Sequence, residues 1–244
     1  MLSDKHIHFC QQIMSIQLGI DVGLQDPITD QLLSFNIHPN APFVQVRHDG
    51  HLHWVCVTTY GCAAGEIYLF DSFFHGAISF ATKRQIYSIL KCAKKYLVIK
   101  VLPIQQQTNG VDCGLYAITW ARQILEVKGI PPTSIMFEEN CMRKHLLQCI
   151  INNRLDVFPT TIDSFRFKKC ASKNFRIRLH CSCRMFWTHK DENIISGQTA
   201  QCFSCKEWFH RECGKIPQSA YEKEDELWYC HQCSCKVIAN KDEI

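Results

Sequence analysis

The stretch from Gln105 to Tyr116, QQQTNGVDCGLY, decides how this chain is read. Three amides and an Asn109-Gly110 turn run into an acid, a thiol and then an apolar segment. From Cys113 to about Glu126 the residues Ala117, Ala121, Ile124 and Leu125 recur at helical spacing, and Gly129-Ile130-Pro131-Pro132 stops the pattern. Cys113 therefore stands at the first position of a helix, against the positive end of the backbone dipole. Unpaired N–H groups there favour the thiolate, which is the nucleophilic form of cysteine. A thiolate used for chemistry needs a base to take its proton and an acid to orient that base.

Working outward, the candidates for base and acid lie at strand ends. Phe43 to Val46 reads as a strand, Asp49-Gly50 as a hairpin turn, and His53 to Tyr60 (HWVCVTTY) as the returning strand. Glu66 to Phe70 is a third strand that ends at Asp71, and Tyr96 to Leu102 is a fourth. His53 opens one strand and Asp71 closes the next, with seventeen residues between them, so a short loop can bring the two ends together. Gln107, six residues before Cys113, can aim an amide donor at the oxygen of a tetrahedral intermediate. His48, His51, His75 and Cys56 are nearby titratable bystanders, and Cys62, Cys92, Cys141 and Cys149 read as core or surface thiols.

The remaining pattern is helical. Ser3 caps a helix running to Leu18, with Cys10, Ile13, Met14 and Leu18 on one face. Leu24 to Asn40, with Pro27 and Pro39, reads as irregular. Thr82-Lys83-Arg84-Gln85 has the form of a capping box, followed by Ile86, Ile89, Leu90 and Ala93 at helical spacing. Glu138 to Asn152 is a further helix, with Met142, Leu146, Cys149 and Ile150 on one side. These elements make an α+β domain of about 160 residues without internal repeats.

The order His53-Trp54, then Phe70-Asp71-Ser72, then Gln107-x-Asn109-Gly110-x-Asp112-Cys113-Gly114 resembles the SUMO-protease (Ubl-specific protease) family of cysteine peptidases. The resemblance covers roughly residues 1–158. It implies a papain-like fold with Cys113 as nucleophile, His53 as base, Asp71 as its orienter and Gln107 in the oxyanion hole. It also implies cleavage after the Gly-Gly tail of SUMO or another ubiquitin-like modifier, with no cofactor for catalysis. In this family the tail threads between two tryptophans. Trp54 matches the one after the histidine and is the first tryptophan in the chain. The region corresponding to the other, Gly23-Leu24-Gln25-Asp26, offers Leu24, with Phe35 further on.

The sixteen cysteines are unevenly placed. Eight are scattered over the first 170 residues, seven fall between Cys181 and Cys233, and Cys235 lies just beyond. This shift in composition separates a second domain, 179–236, from the first. Read by spacing, Cys181-x-Cys183, Cys202-x-x-Cys205, His210, Cys213 and Cys230-x-x-Cys233 supply seven thiols and one imidazole, enough for two tetrahedral zinc sites. A segment of about 55 residues has little core, and metal binding would supply much of its folding free energy. His210 as fifth ligand and Trp228 two residues before the last pair resemble a PHD finger rather than a RING finger. By that resemblance Cys181, Cys183, His210 and Cys213 hold one zinc, Cys202, Cys205, Cys230 and Cys233 hold the other in a cross-brace, and Trp228 packs between the sites. Cys235 competes with Cys233 as last ligand, and the paired spacing favours Cys233. His180, His189 and His231 are read as non-ligands. PHD fingers often bind histone tails, and Trp208 matches one wall of the aromatic cage that some use for methylated lysine. Thr199 stands where the opposite wall can be, with Trp187 or His180 as substitutes, and Phe203 replaces the acid that often follows the third cysteine.

Between the two domains, residues 159–178 carry Arg166, Lys168, Lys169, Lys173, Arg176 and Arg178 with no acid among the last thirteen positions. The stretch reads as a solvated basic linker, with a nuclear import signal or a nucleic-acid contact as the sharper alternatives. The net charge of +4 over 244 residues is too mild to imply nucleic-acid binding by itself. No apolar h-region follows a basic N-terminus, and no apolar run spans a bilayer, Tyr96 to Ile104 being interrupted by Lys100 and Pro103. The expectation is therefore a nuclear, or otherwise cytoplasmic, protein that is neither secreted nor membrane-bound. The rival expectation is a binding protein, its protease fold a docking platform and its finger a histone reader.

Overall fold

The structure, a computed structural model, describes residues 1–32, 34–36, 41–50, 52–90, 94–131, 133–161, 169–186, 199–222 and 227–234, without the side chains of 30, 31, 221 and 222. The expectations placed on Pro39, His51, Cys92, Ala93, Pro132, Arg166, Lys168, Trp187, His189 and Cys235 lie outside the described residues. Packing divides the chain into two units, Met1–Lys91 with Val98–Arg176, and Cys92–Leu97 with Ile177–Ile244. Among the described residues no helix is long and apolar enough to cross a membrane.

The sheet that positions the site has five strands in the order β1-β2-β3-β4-β7. They are β1 (Val44–His48), β2 (Trp54–Thr58), β3 (Glu66–Phe70), β4 (Tyr96–Val101) and β7 (Lys173–Arg178). The pairs β1/β2 and β2/β3 are antiparallel, and β3/β4 is parallel. The hairpin register pairs His48 with Trp54, so His53 sits at the head of β2. Side chains alternate across the sheet. Trp54, Cys56 and Phe70 join the core that surrounds the helix α4 (Cys113–Val127). Val55, Val57, Ile67 and Leu69 are buried outside that core, as alternation requires.

The helix α4 lies against β1 and β2 and packs on α1 (Asp4–Leu18) and α5 (Glu139–Ile151). It is buried almost throughout, from Cys113 to Leu125. A helix apolar on all sides is one enclosed by other elements, and this enclosure holds the Cys113 end of α4 at a fixed depth below the strand ends. In α1, Ser3 is the N-cap and Cys10, Ile13 and Met14 are buried. In α5, Met142, Leu146 and Cys149 are buried, while Ile150 is half-buried against the same core.

Several elements differ from the sequence expectation. The stretch Leu24 to Asn40 contains a short helix, α2 (Ile28–Leu32), started by Asp26, whose Oδ1 accepts the Ile28 N–H at 3.0 Å. The helix α3 (Phe80–Leu90) begins one turn before the expected capping box. Ser79 is its cap: Oγ accepts the Thr82 N–H at 3.0 Å, and Thr82 is buried in the first turn. The helix α4 ends at Lys128, which adopts the left-handed conformation (φ 47°) and donates its N–H to Ile124 O, so the cap precedes Gly129. A small pair, β5 (Met136–Phe137) with β6 (Thr160–Thr161), flanks α5. Lys173–Arg178, within the stretch read as a linker, is the strand β7. Phe175 and Ile177 alternate there with Arg176 and Arg178, a period-two pattern that a count of charges overlooks.

In the second unit, β8 (Thr199–Gln201) and β9 (Trp208–His210) form an antiparallel ribbon, followed by the short helices α6 (Arg211–Gly214) and α7 (Ser219–Glu222). Glu207, just before β9, is buried and faces Arg178 (2.9 Å), His180 (2.8 Å) and Lys95 (3.3 Å), all of the same unit.

Candidate active site and metal centres

Cys113 is the first residue of α4 and only 1% exposed. The preceding Asp112 makes no side-chain cap on the helix. Its carboxylate is engaged instead by Asn109 Nδ2 at 2.6 Å and by Arg143 of α5. The Cys113 sulfur is left within reach of the backbone N–H groups of Trp54 and Gly114 and of the His53 ring. Gly114 is small for a reason: a Cβ there would lie 3.2 Å from Trp54 Cδ1 and 3.3 Å from Ile7 Cδ1. Such separations are tighter than ordinary packing, so a larger residue would push the cysteine end of α4 away from β2.

His53 is fixed through its backbone by the hairpin. Its N–H donates to Asp49 Oδ1 at 3.2 Å and its carbonyl accepts the Asp49 N–H at 2.9 Å. The ring nitrogen Nε2 meets Asp71 Oδ1 at 2.7 Å, and both side chains are largely buried. Asp71 Oδ1 also accepts the Phe73 N–H at 2.9 Å. Burial works against charge on the His53 ring. The hydrogen bonds to Asp71 and Cys113 and their negative charges override it and raise the imidazolium pKa to about 10. For Cys113 burial opposes the thiolate, but the His53 ring, the Trp54 and Gly114 N–H groups and the His53 charge together hold the thiol pKa below its ordinary value. Each group thus favours the charged form of the other: the His53 ring lowers the Cys113 pKa, and the Cys113 sulfur helps to raise that of His53. Cys56 behaves oppositely: it is fully buried without such partners, and burial pushes its pKa far up.

The three amides of the opening stretch each clamp a different segment. Gln105 is fully buried, accepting the Phe137 N–H at 2.7 Å and donating to the Phe137 carbonyl at 3.2 Å. Gln106 accepts the Phe74 N–H at 2.9 Å and donates to the Asp71 carbonyl at 2.9 Å, which ties the turn after β3 to the cysteine loop. Gln107 donates its backbone N–H to the Ser72 carbonyl at 2.8 Å, and its Oε1 accepts from Ser72 Oγ at 2.7 Å. Its Nε2 donates to the Asn109 carbonyl at 2.5 Å. Thr108 Oγ1 donates to Glu139 Oε2 at 2.8 Å, fastening the loop to α5. The roles of Ser72, Gln105 and Gln106 were missed from sequence. Their partners lie more than thirty residues away, and the only local signal was the run of amides itself.

A cavity of about 220 Å³ opens beside His53 and Asp71, lined among others by Asp49, Phe73, His75, Ser79 and Thr82. His75 packs edge-on to Phe73, with ring centroids 4.4 Å apart. The structure places Trp54 inside the protein, 1% exposed. Its indole N–H donates to the Leu2 carbonyl at 3.2 Å, and its ring meets His48 edge-on at 4.9 Å. Leu24 and Phe35 are buried too. Gly23 explains Leu24: its Cβ direction points at Val44 O, 2.3 Å away, so only glycine fits beside β1, and the chain then turns Leu24 (φ 50°) into the core. Phe35 lies under the Arg47 guanidinium, 5.9 Å from its ring centre.

The second unit brings together two quartets, Cys181, Cys183, His210 and Cys213, and Cys202, Cys205, Cys230 and Cys233, with all ligand atoms of each within 4.8 Å of one another. The interleaving of ligand pairs is the cross-brace. Cys205 and Cys230 sulfurs are 3.9 Å apart, and Cys183 Sγ is 3.4 Å from His210 Nδ1. A tetrahedral site with metal–sulfur bonds of ~2.3 Å has sulfur–sulfur edges of ~3.8 Å, so the donors fit zinc in number, type and spacing. The Cys230 N–H points at Cys202 Sγ at 3.3 Å, an outer support for that ligand. Trp228 packs with Phe209 (5.5 Å, edge-on) against Cys202, Cys230 and Cys233, and its ring edge reaches Gly214, beside Cys213. Residues 181–233 match the family model of the PHD-finger.

This segment is a PHD finger. Trp208 and Thr199 of the finger line one small pocket with Met185, Phe209 and His180, the residue just before the matched segment. His180 turns its Nδ1 to Glu207 and joins neither quartet. Over 60% of its length, and 90% of theirs, the chain is similar to the Xanthomonas campestris effector protein XopD bound to ubiquitin, at 14% identity and a TM-score of 0.43. Over 62% of its length it is similar to the SUMO protease Ulp1 with its catalytic cysteine oxidised to a sulfenic acid (18% identity, 78% of that chain, TM-score 0.49). It is similar over the same share to the Ulp1 protease domain in complex with Smt3, the yeast ortholog of SUMO (16% identity, 77% of that chain, TM-score 0.45). No curated protein sequence matches the chain.

Proposed function

We propose that this protein is a cysteine protease that hydrolyses the bond after the Gly-Gly tail of SUMO or another ubiquitin-like modifier. The observation that carries the reading is one constellation: Nε2 of His53 sits 2.7 Å from Asp71 with its ring in reach of the Cys113 sulfur at a helix N-terminus. The thiolate attacks the terminal glycine carbonyl carbon, forming a C–S bond. The oxygen of the tetrahedral intermediate carries the negative charge, and Gln107 Nε2 with the Cys113 backbone N–H would stabilise it. His53 gives its proton to the leaving amine nitrogen as the C–N bond breaks, which leaves a thioester. Water, losing a proton to His53, then attacks the thioester carbonyl, and the C–S bond breaks to release the modifier carboxylate and the Cys113 thiolate. Trp54 would wall the tail only after displacement of the Leu2 carbonyl from its indole N–H.

In this reading the PHD finger holds two structural zinc ions on its two quartets, supplying folding free energy rather than catalysis. It directs the protease to chromatin in the nucleus, through a histone tail or another partner, with Trp208 as the aromatic contact. The burial of Trp54 favours one other reading, a binding protein in which the protease fold is a docking platform. Probes of SUMO, of NEDD8 and of ubiquitin carrying a C-terminal electrophile separate the two. A covalent adduct formed by the wild type and lost in Cys113→Ala supports the protease, whereas no adduct with folded wild-type protein overturns it.

A further inference from the structure

We infer that Ser72 is a positioning residue that sets the orientation of the Gln107 amide, so that two neighbouring residues at the end of β3 organise both arms of the site. The inference rests on the protease reading of Cys113 and extends it to a residue with no chemistry of its own. A carboxamide has a donor end and an acceptor end of nearly equal shape, and only the donor end stabilises an oxyanion. The surroundings must therefore choose. In this structure they do so from both sides. Ser72 Oγ donates to Gln107 Oε1 at 2.7 Å, and the Asn109 carbonyl takes one Nε2 hydrogen at 2.5 Å. With the amide reversed, Oε1 would face the Asn109 carbonyl, oxygen against oxygen. Nε2 carries two hydrogens, and the one not taken by Asn109 is the donor offered to a developing oxyanion.

Ser72 also accepts the Gln107 backbone N–H at 2.8 Å, so it holds both the main chain and the side chain of that residue. It is 2% exposed, which keeps water from substituting for its hydroxyl. Residues 71 and 72 follow the last residue of β3 in succession, where the chain enters a turn that gives their side chains different partners. Asp71 accordingly turns to His53 and Ser72 to Gln107. The turn after β3 thus orients the base and the oxyanion donor together.

The test uses the full chain and SUMO and ubiquitin carrying a C-terminal fluorogenic amide. Ser72→Ala should lower kcat about tenfold with KM within about twofold, short of the ~100- to 1,000-fold expected for loss of the donor itself. Iodoacetamide alkylation of Cys113 passes through no oxyanion, and its rate should stay within about twofold. Ser72→Ala combined with Gln107→Ala should be no slower than Gln107→Ala alone, because both act through one group. The inference is overturned if alkylation slows by the same factor as turnover, if the two substitutions multiply, or if Ser72→Ala leaves kcat unchanged. Should the wild type turn over neither conjugate, the protease reading fails by itself, and the side-chain amide signals of Gln107 in ¹⁵N NMR spectra still decide. Ser72→Ala must then shift them and speed their hydrogen exchange, and unchanged signals overturn the positioning role.

Discussion

At the scale of the residue, the proposed chemistry depends on two opposed pKa shifts in a buried place. Burial alone would neutralise both Cys113 and His53; their mutual contact, the Asp71 carboxylate and the N–H groups at the head of α4 reverse this. The signs fix the pH dependence. The thiolate is lost as pH falls through the lowered Cys113 pKa, and the imidazolium is lost as pH rises through about 10. Iodoacetamide alkylation of Cys113 should therefore set in at lower pH than that of an ordinary thiol. Replacing His53 by Ala should move its midpoint upward toward the ordinary thiol range, slowing alkylation at pH 7 by about tenfold; a pH–rate profile of both proteins checks this. Gly114→Ala acts through packing: the new methyl meets Trp54 and Ile7, both buried in the core. Overpacking of this kind costs about 1–3 kcal/mol, so chemical denaturation should show a lower midpoint at an unchanged slope.

Among the elements, α3 shows how a reading one turn out of register arises. Thr82 followed three residues later by Gln85 has the form of a cap, yet Ser79 already occupies that role for the same helix. Pattern alone cannot choose between two polar residues three apart at a helix start; the choice falls to the turn that delivers the chain from β3. Ser79→Ala should cost about 1 kcal/mol of stability, as loss of an N-cap does, and equilibrium unfolding measures it. The alternation of β7 was likewise present in its residues but overlaid by its charges, and only pairing in the sheet declares it a strand.

For the whole molecule, the two units rest on different sources of stability. The first has a core that encloses α4 between the sheet and two helices. Among the described residues of the finger, Phe209, Trp228 and Tyr229 pack around Cys202, Cys230 and Cys233 in a small cluster. Structural zinc, at on the order of 10 kcal/mol per ion, would then supply much of its folding free energy. Elemental analysis should return two zinc ions per chain. Cys183→Ser and Cys205→Ser should each reduce the count to one, since they belong to different quartets. A count that falls to one in neither variant would refute the pairing.

What the sequence by itself determined are the features with local signatures. The ligand spacings that make the finger, the helix beginning at Cys113, the strands ending beside His53 and Asp71, and the amide six residues ahead of the thiol are all legible, because periodicity and spacing act over a few residues. Only the tertiary structure decided what holds these groups and what hides them. Ser72 meets Gln107 across 35 residues, Gln106 meets the Phe74 turn across 32, and Leu2 meets the Trp54 indole across 52. A hydrogen bond between distant residues leaves no pattern in the residues between them. It exists because packing α4 beneath the sheet brings those backbones within 3 Å or so of each other, where a buried polar group must find a partner.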